Sequence, residues 1–295
     1  MARCSEHSVQ AVMDRKQFKM CGALKLCISA SYPNFHHIVQ QEYYQITSNQ
    51  EVDTSGSFES KNKHRKHDIY YVDGFRDKKK FICTENPTEN SVEDFFRTLW
   101  NKRSYIIVML SGPLSSNANQ CYQYWSKEQG GVIQAGRYQI KTVKIKTINN
   151  FVVAELHLTD GIKPSRKIFH FSYSDWTLRD VPSDVTKFFQ LILKVNHVSE
   201  MGKQALKVHK VQTGPIVLHG NQGSSQIGTF CASDFAVYQM NNMARISLAN
   251  IMTNIRRQLR SYVISCEQYY FCYDIVLYSL SLIRLDTAIT EKNKS

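Results

Sequence analysis

A chain of 295 residues, 42% hydrophobic and 12% aromatic, can bury a sizeable core and suits one large globular domain better than two. Its formal net charge of +12 is first of all a solvated surface; that account is preferred to a specific nucleic-acid site, and an attraction for acidic or phosphorylated partners or an anionic membrane face lies between them. No apolar run reaches the roughly 18 residues of a membrane span.

Residues 1 to about 40 show no clean period and are expected to form a helical lead-in. The main domain is expected over 41–285, with a polar tail over 286–295. Met20 to Ala30 is the most apolar early stretch, but Lys25 interrupts it and it lies too far in for a signal peptide. Thr47 to His67 is polar and reads as a loop. Val92, Phe95, Phe96 and Leu99 fall on one face of a predicted helix over Val92 to Trp100. Tyr105 to Leu110 is continuously apolar and predicts a buried strand.

Arg137 to Ile148 alternates, with Tyr138, Ile140, Val143 and Ile145 against Gln139, Lys141, Lys144 and Lys146. One residue of slippage near Thr142 predicts a bulge. Phe151 to Leu158 and Lys167 to Tyr173 alternate too, so the middle third should be an antiparallel meander. Val185 to Val198 predicts an amphipathic helix. Pro215 to His219 predicts a short buried strand, followed by a Gly/Ser loop and a helix from about Gly228. Ile246 to Val263 and Glu267 to Ile283 predict two closing helices. The pattern is α+β, with one twisted mixed sheet flanked by helices.

The eight cysteines, Cys4, Cys21, Cys27, Cys83, Cys121, Cys231, Cys266 and Cys272, form no C-x-x-C pair. Zinc is therefore not expected, and buried or free thiols in a reducing cytosol are. No cofactor is expected.

The segment P-I-V-L-H-G-N-Q-G-S-S-Q-I-G-T-F, from Pro215 to Phe230, places a glycine-bearing loop between a strand and a helix N-terminus. Successive backbone N–H groups and the helix dipole make such a loop a phosphate cradle in principle. No Lys-Ser/Thr pair follows the glycines, so it is not a Walker loop, and it is not the dinucleotide fingerprint.

This loop resembles the protein tyrosine phosphatase signature V-H-C-S-A-G-x-G-R-[ST]-G-T-F, with His219, Gly223, Gly228, Thr229 and Phe230 matching. Tyr71 to Phe75 resembles the family's N-Y-V-D-G-F. Phe81 to Pro87, then Asp94-Phe95-Phe96 and Trp100, resemble F-I-x-T-Q-G-P and D-F-W-x-x-W. Ile106 to Leu110, Cys121 to Trp125, His170-Phe171 with Trp176 and Val181-Pro182, Ile255-Arg256 with Gln258, and Glu267-Gln268-Tyr269 with Phe271 follow in family order. The style is most similar to the phosphatases of bracoviruses carried by parasitoid wasps.

The resemblance also implies what is missing. The family's nucleophilic cysteine corresponds to Gly220, which has no side chain to attack phosphorus. The phosphate-gripping arginine corresponds to Gln226, an amide without charge. The loop hydroxyl corresponds to Ile227, the general acid to Leu178 and the water-positioning glutamine to Ile264, although Gln268 remains. The ring-binding K-N-R-Y loop is reduced to Lys61-Asn62-Lys63, with His64 at the tyrosine's place. Asp180, Ser224 and Ser225 are poor substitutes, because a hydroxyl without an adjacent base is a weak nucleophile. Cys231 is expected to pack in the core, and His219 to be a buried, hydrogen-bonded histidine.

Three functions follow from the resemblance: an inactive scaffold, a phosphotyrosine trap, or an enzyme of altered chemistry. The scaffold is preferred, because losing the arginine removes about 1.5–3 kcal/mol per charged hydrogen bond to phosphate. The vestigial ligand loop would comprise His219, Gly223, Ser224, Ser225, Gln226 and Gly228, with Gln268 beside it. The implied partners are proteins, acidic or tyrosine-phosphorylated ones of the host among them, with no specific nucleic acid. The implied location is the cytoplasm of a parasitised insect cell, and the implied effect is on immune-cell signalling or adhesion.

Overall fold

Three strands are buried along nearly their whole length: β3 (Phe81–Glu85), β4 (Ile106–Leu110) and β9 (Ile216–Gly220). Apolar residues on both faces force such strands into the middle of a sheet. A computed structural model places them there; it describes residues 19–20, 35–48, 69–110, 121–148, 151–176, 181–208, 213–221, 225–243, 245–259 and 264–292.

The sheet has eight strands in the order β2-β3-β9-β4-β8-β7-β6-β5. β3, β9, β4 and β8 (Arg166–Tyr173) run parallel to one another. β2 (Ile69–Val72) closes one side antiparallel to β3. β7 (Phe151–Thr159), β6 (Tyr138–Ile148) and β5 (Val132–Ala135) extend the other side as an antiparallel meander. The expected bulge is present as a register shift between Thr142 and Lys144. The expected α+β class, a single domain with one mixed sheet flanked by helices, is the one observed. A separate two-residue pairing joins β1 (Lys19–Met20) to β10 (Arg245–Ile246).

Alternation along the central strands divides the core in two. Phe81, Cys83, Ile106, Val108, Ile216 and Leu218 belong to one cluster. It is covered by α1 (Phe35–Ser48), α3 (Val185–Val208), α4 (Ser225–Met243), α5 (Leu248–Gln258) and α6 (Cys266–Lys292). Ile82, Ile107 and Val217 point the other way, toward α2 (Val92–Lys102). Phe95, Phe96 and Leu99 of α2 are buried there, each worth about 1.5–3 kcal/mol by transfer from water. α4 is buried on nearly every side from Gln226 to Val237, the pattern of a helix inside a core.

Several boundaries differ from the sequence expectation. α3 continues ten residues past Val198, and Gly202 inside it lies against the Tyr105 ring, where a Cβ would come within 2.5 Å of the hydroxyl. α4 starts at Ser225, so Gly228 sits inside its first turn. The two closing helices begin and end elsewhere than periodicity placed them, and α6 runs to Lys292. Of the expected lead-in, the described parts are β1 and the start of α1. Of the expected loop over Thr47 to His67, only Thr47 and Ser48 are described, and they close α1.

α1 docks through polar contacts as well as apolar ones. The Glu42 carboxylate accepts from the hydroxyls of Tyr269 and Tyr273, each at 2.5 Å. Burial, together with the charge of Glu42, pushes the Tyr269 hydroxyl far up, so it stays a donor. Gly214, at the entry to β9, passes so close to Lys102 that a Cβ would stand 2.0 Å from its carbonyl oxygen.

Candidate functional site

β9 carries His219 and Gly220 to the carboxyl end of the parallel strands, where open α/β sheets bind ligands. Gly220 is paired in register with Glu85 on one side and Leu110 on the other. Its carbonyl accepts the Asn86 N–H at 2.7 Å. Asn221 follows the strand, and α4 begins at Ser225. Gly223 and Ser224 lie outside the described residues, as do Leu178, Asp180 and the Lys61-to-His64 remnant.

His219 is fully buried and holds a polar chain together. Its Nδ1 lies 2.8 Å from Asn86 Oδ1, and Asn86 Nδ2 donates to Asn221 Oδ1 at 2.9 Å. Its Nε2 lies 2.7 Å from the Tyr124 hydroxyl, which lies 2.6 Å from His170 Nε2. One proton assignment satisfies every link. His219 donates from Nδ1 to Asn86, Tyr124 donates to His219 Nε2, and His170 donates from Nε2 to the Tyr124 oxygen. Burial holds His170 down to about 3 and the Tyr124 hydroxyl far above its ordinary range, so neither carries charge at neutral pH. The His170 Nδ1 is a buried acceptor without a hydrogen-bond partner. The Phe95 ring packs edge-on against His219 at 5.5 Å.

The expectation of a buried, hydrogen-bonded His219 therefore matches what is seen. Asn86, Tyr124 and His170 had no role assigned from sequence, although each falls in a segment that resembles the family. Sequence order alone could not show that three separate segments join His219 in one hydrogen-bonded chain.

Gln226, Ile227 and Gly228 form the buried first turn of α4. The first-turn N–H groups and the positive end of the dipole favour an anion there. Gln226 supplies no cation to the turn, and Gly220 supplies no side chain at all. Ser225 Oγ accepts from Gln268 Nε2 at 2.7 Å. Gln268 is itself fully buried and reciprocates with Ser265: its Oε1 accepts the Ser265 N–H, and the Ser265 hydroxyl accepts the Gln268 N–H. This is a capping box that starts α6. Gln268 thus holds two helix starts together. Ile264 is buried, and its carbonyl accepts from the Tyr43 hydroxyl of α1 at 3.0 Å.

Cys231 is buried in α4 and pushed well up by desolvation and by its neighbour Cys83, the signature of an inert thiol. The described cysteines, Cys83, Cys121, Cys231, Cys266 and Cys272, are all free. No group of three metal-ligating side chains occurs among the described residues, and no described helix is long and apolar enough to cross a membrane.

The family model "Protein-tyrosine phosphatase" matches residues 45–278. Tyrosine phosphatase H2 of Microplitis demolitor bracovirus is 34% identical over 210 residues, covering 70% of this chain and 64% of that protein. Tyrosine phosphatase-like protein J1 of the same virus is 33% identical over 209 residues, covering 70% of each chain. The chain thus spans about two thirds of the length of these relatives. A solved structure of PTPN18 in complex with HER2 phosphopeptides superposes with a TM-score of 0.67 at 20% identity, over 82% of this chain and all of that one. The parallel core strands, the strand-loop-helix after His219 and the family match over most of the length lead to one conclusion: the chain belongs to the protein-tyrosine phosphatase family.

Proposed function

We propose that this domain keeps the phosphatase fold as an interaction scaffold and has given up hydrolysis. The observation that carries the reading is Gly220, seated at the end of β9 directly after the buried His219, where the family signature has its cysteine. A phosphocysteine cannot form there, since no bond from a glycine Cα to phosphorus is available. Gln226, in the first turn of α4, cannot replace the bidentate charge of an arginine. The resemblance of Leu178 to the general-acid position removes the proton donor as well.

The partners in this reading are proteins, acidic or tyrosine-phosphorylated ones included. Given the bracovirus relatives, they would be host proteins of parasitised insect cells, met in the cytoplasm, and the consequence would be altered immune-cell signalling or adhesion. A phosphotyrosine trap is the second reading. The observation in its favour is the α4 N-terminus with no acidic residue in its first turn, which leaves the anion-attracting end of the helix uncountered.

Assaying the chain with an aryl phosphate and with phosphotyrosine peptides separates the readings. The scaffold reading expects turnover equal to a heat-denatured control and no peptide binding that depends on the phosphate. Phosphate-dependent binding without turnover would favour the trap. Turnover abolished by Asp180→Asn or Ser225→Ala would refute both.

A further inference from the structure

A second recess lies away from the phosphate loop, between β2 and the outer face of α2. It has a volume of about 280 Å³ and is lined by Ile69 and Tyr71 of β2 and by Asp94, Arg97, Asn101 and Lys102 of α2. Phe95 on the inner face of α2 supports His219, whereas this recess uses the opposite face. The two sites share a helix and no side chain.

The charges around the recess do not cancel. Arg97 is paired with Asp94, one turn before it. Lys79 and Lys102 have no carboxylate within ion-pairing distance among the described residues. Both ammonium groups instead stand over the ring of Tyr71, at 5.1 Å and 5.7 Å from its centroid. A ring quadrupole is a weak counterweight for two exposed cations. An anion that approaches the Tyr71 ring would meet both charges, and the half-buried Tyr71 and Ile69 offer apolar contact beside them. β2 is the outermost strand on this side of the sheet. A strand at a sheet edge receives extended peptides, whose alternate side chains reach one face.

We infer that the β2–α2 recess is a docking site for an acidic, extended segment of a partner protein, with a carboxylate held by Lys79 and Lys102 and an apolar neighbour resting on Tyr71. Charge complementarity on a chain of net charge +12 carries the choice of partner. The inference is independent of whether the phosphate loop binds or hydrolyses anything.

The test is fluorescence anisotropy on the full chain. The probe is a fluorescein-labelled peptide of alternating glutamate and phenylalanine, with a glutamine-for-glutamate counterpart. The pair Lys79→Gln with Lys102→Gln should weaken the acidic probe about tenfold, the loss of two partly exposed charge contacts. Tyr71→Ala should weaken it several-fold. Removing the same charge elsewhere, at the exposed Lys141 and Lys146 of β6, should change affinity less than twofold. Equal losses for the two lysine pairs would reduce the effect to net charge and overturn the site. Equal binding of the glutamine peptide, or full displacement by millimolar inorganic phosphate, would overturn the peptide assignment. Thermal unfolding of each variant separates lost binding from lost folding; the lysine variants should match the parent, and Tyr71→Ala, which removes a ring packed on the core, should unfold earlier.

Discussion

Gln268 Nε2 donates to Ser225 Oγ at 2.7 Å, joining the first turn of α6 to the first turn of α4. The same side chain closes the capping box with Ser265. Here its hydrogen bonds are structural, and they hold the helix start that would face an anion. Gln268→Leu should therefore destabilise the fold by about 1–3 kcal/mol, because buried donors and acceptors lose their partner. Urea unfolding measures it. A change below about 0.5 kcal/mol, the range of surface substitutions, would show that the amide is dispensable.

The loop should not recover hydrolysis from one reversion. A thiol installed by Gly220→Cys would meet a helix N-terminus without an arginine, so its thiolate would lack the main fixed charge that lowers its pKa. Donors of this kind are each worth about 10²–10³ in rate, and they act as a unit. Measurable aryl-phosphate hydrolysis is expected only when Gly220→Cys, Gln226→Arg and Leu178→Asp are combined. It should still be slow, since Ile227 and Ile264 remain. Family-like turnover from Gly220→Cys alone would mean that the pocket is intact and the scaffold reading wrong.

His170 makes folding sensitive to mild acid. Its folded value near 3 lies below the ordinary 6.5 because burial disfavours the charged ring. Between these values the unfolded chain binds the extra proton, so stability is full above about pH 6.5 and falls as the pH drops toward 3. From pH 7.5 to 5.5 this one group should cost about 1.4 kcal/mol. Denaturant titrations at the two pH values, on the parent and on His170→Gln, should differ by that amount. Identical pH dependence in both would remove His170 as the cause.

A buried ion pair ties β3 to the helices behind it. Lys80 Nζ stands 2.6 Å from Asp234 Oδ2 and donates to Asn196 Oδ1, and Asn196 Nδ2 donates to Asp234 Oδ1. The Asp234 side chain is 3% exposed and that of Lys80 12%, so removing one partner strands the other charge. Asp234→Ala should cost about 3–5 kcal/mol. The combined Lys80→Met and Asp234→Leu variant should recover much of that loss. If it does not, packing and not charge governs the site.

Local pattern sufficed wherever a single period decides an element. The apolar run of β4, the alternation and slip of β6, and the stripe on α2 all fold as the sequence predicts, since each depends on side chains within one strand or helix. The ordered family motifs likewise made Gly220, Gln226, Ile227 and Ile264 visible as departures. Tertiary structure alone decided where those residues' neighbours point. Asn86, Tyr124 and His170 lie on three separate segments and join His219 in one hydrogen-bonded chain, with His170 linked through Tyr124, only because β3, β9, β4 and β8 lie side by side. Gln268 became a clamp between two helix starts because α6 packs on α4. Hydrogen bonding is short-ranged and directional, so partners far apart in the chain acquire roles only after the sheet has set their distance.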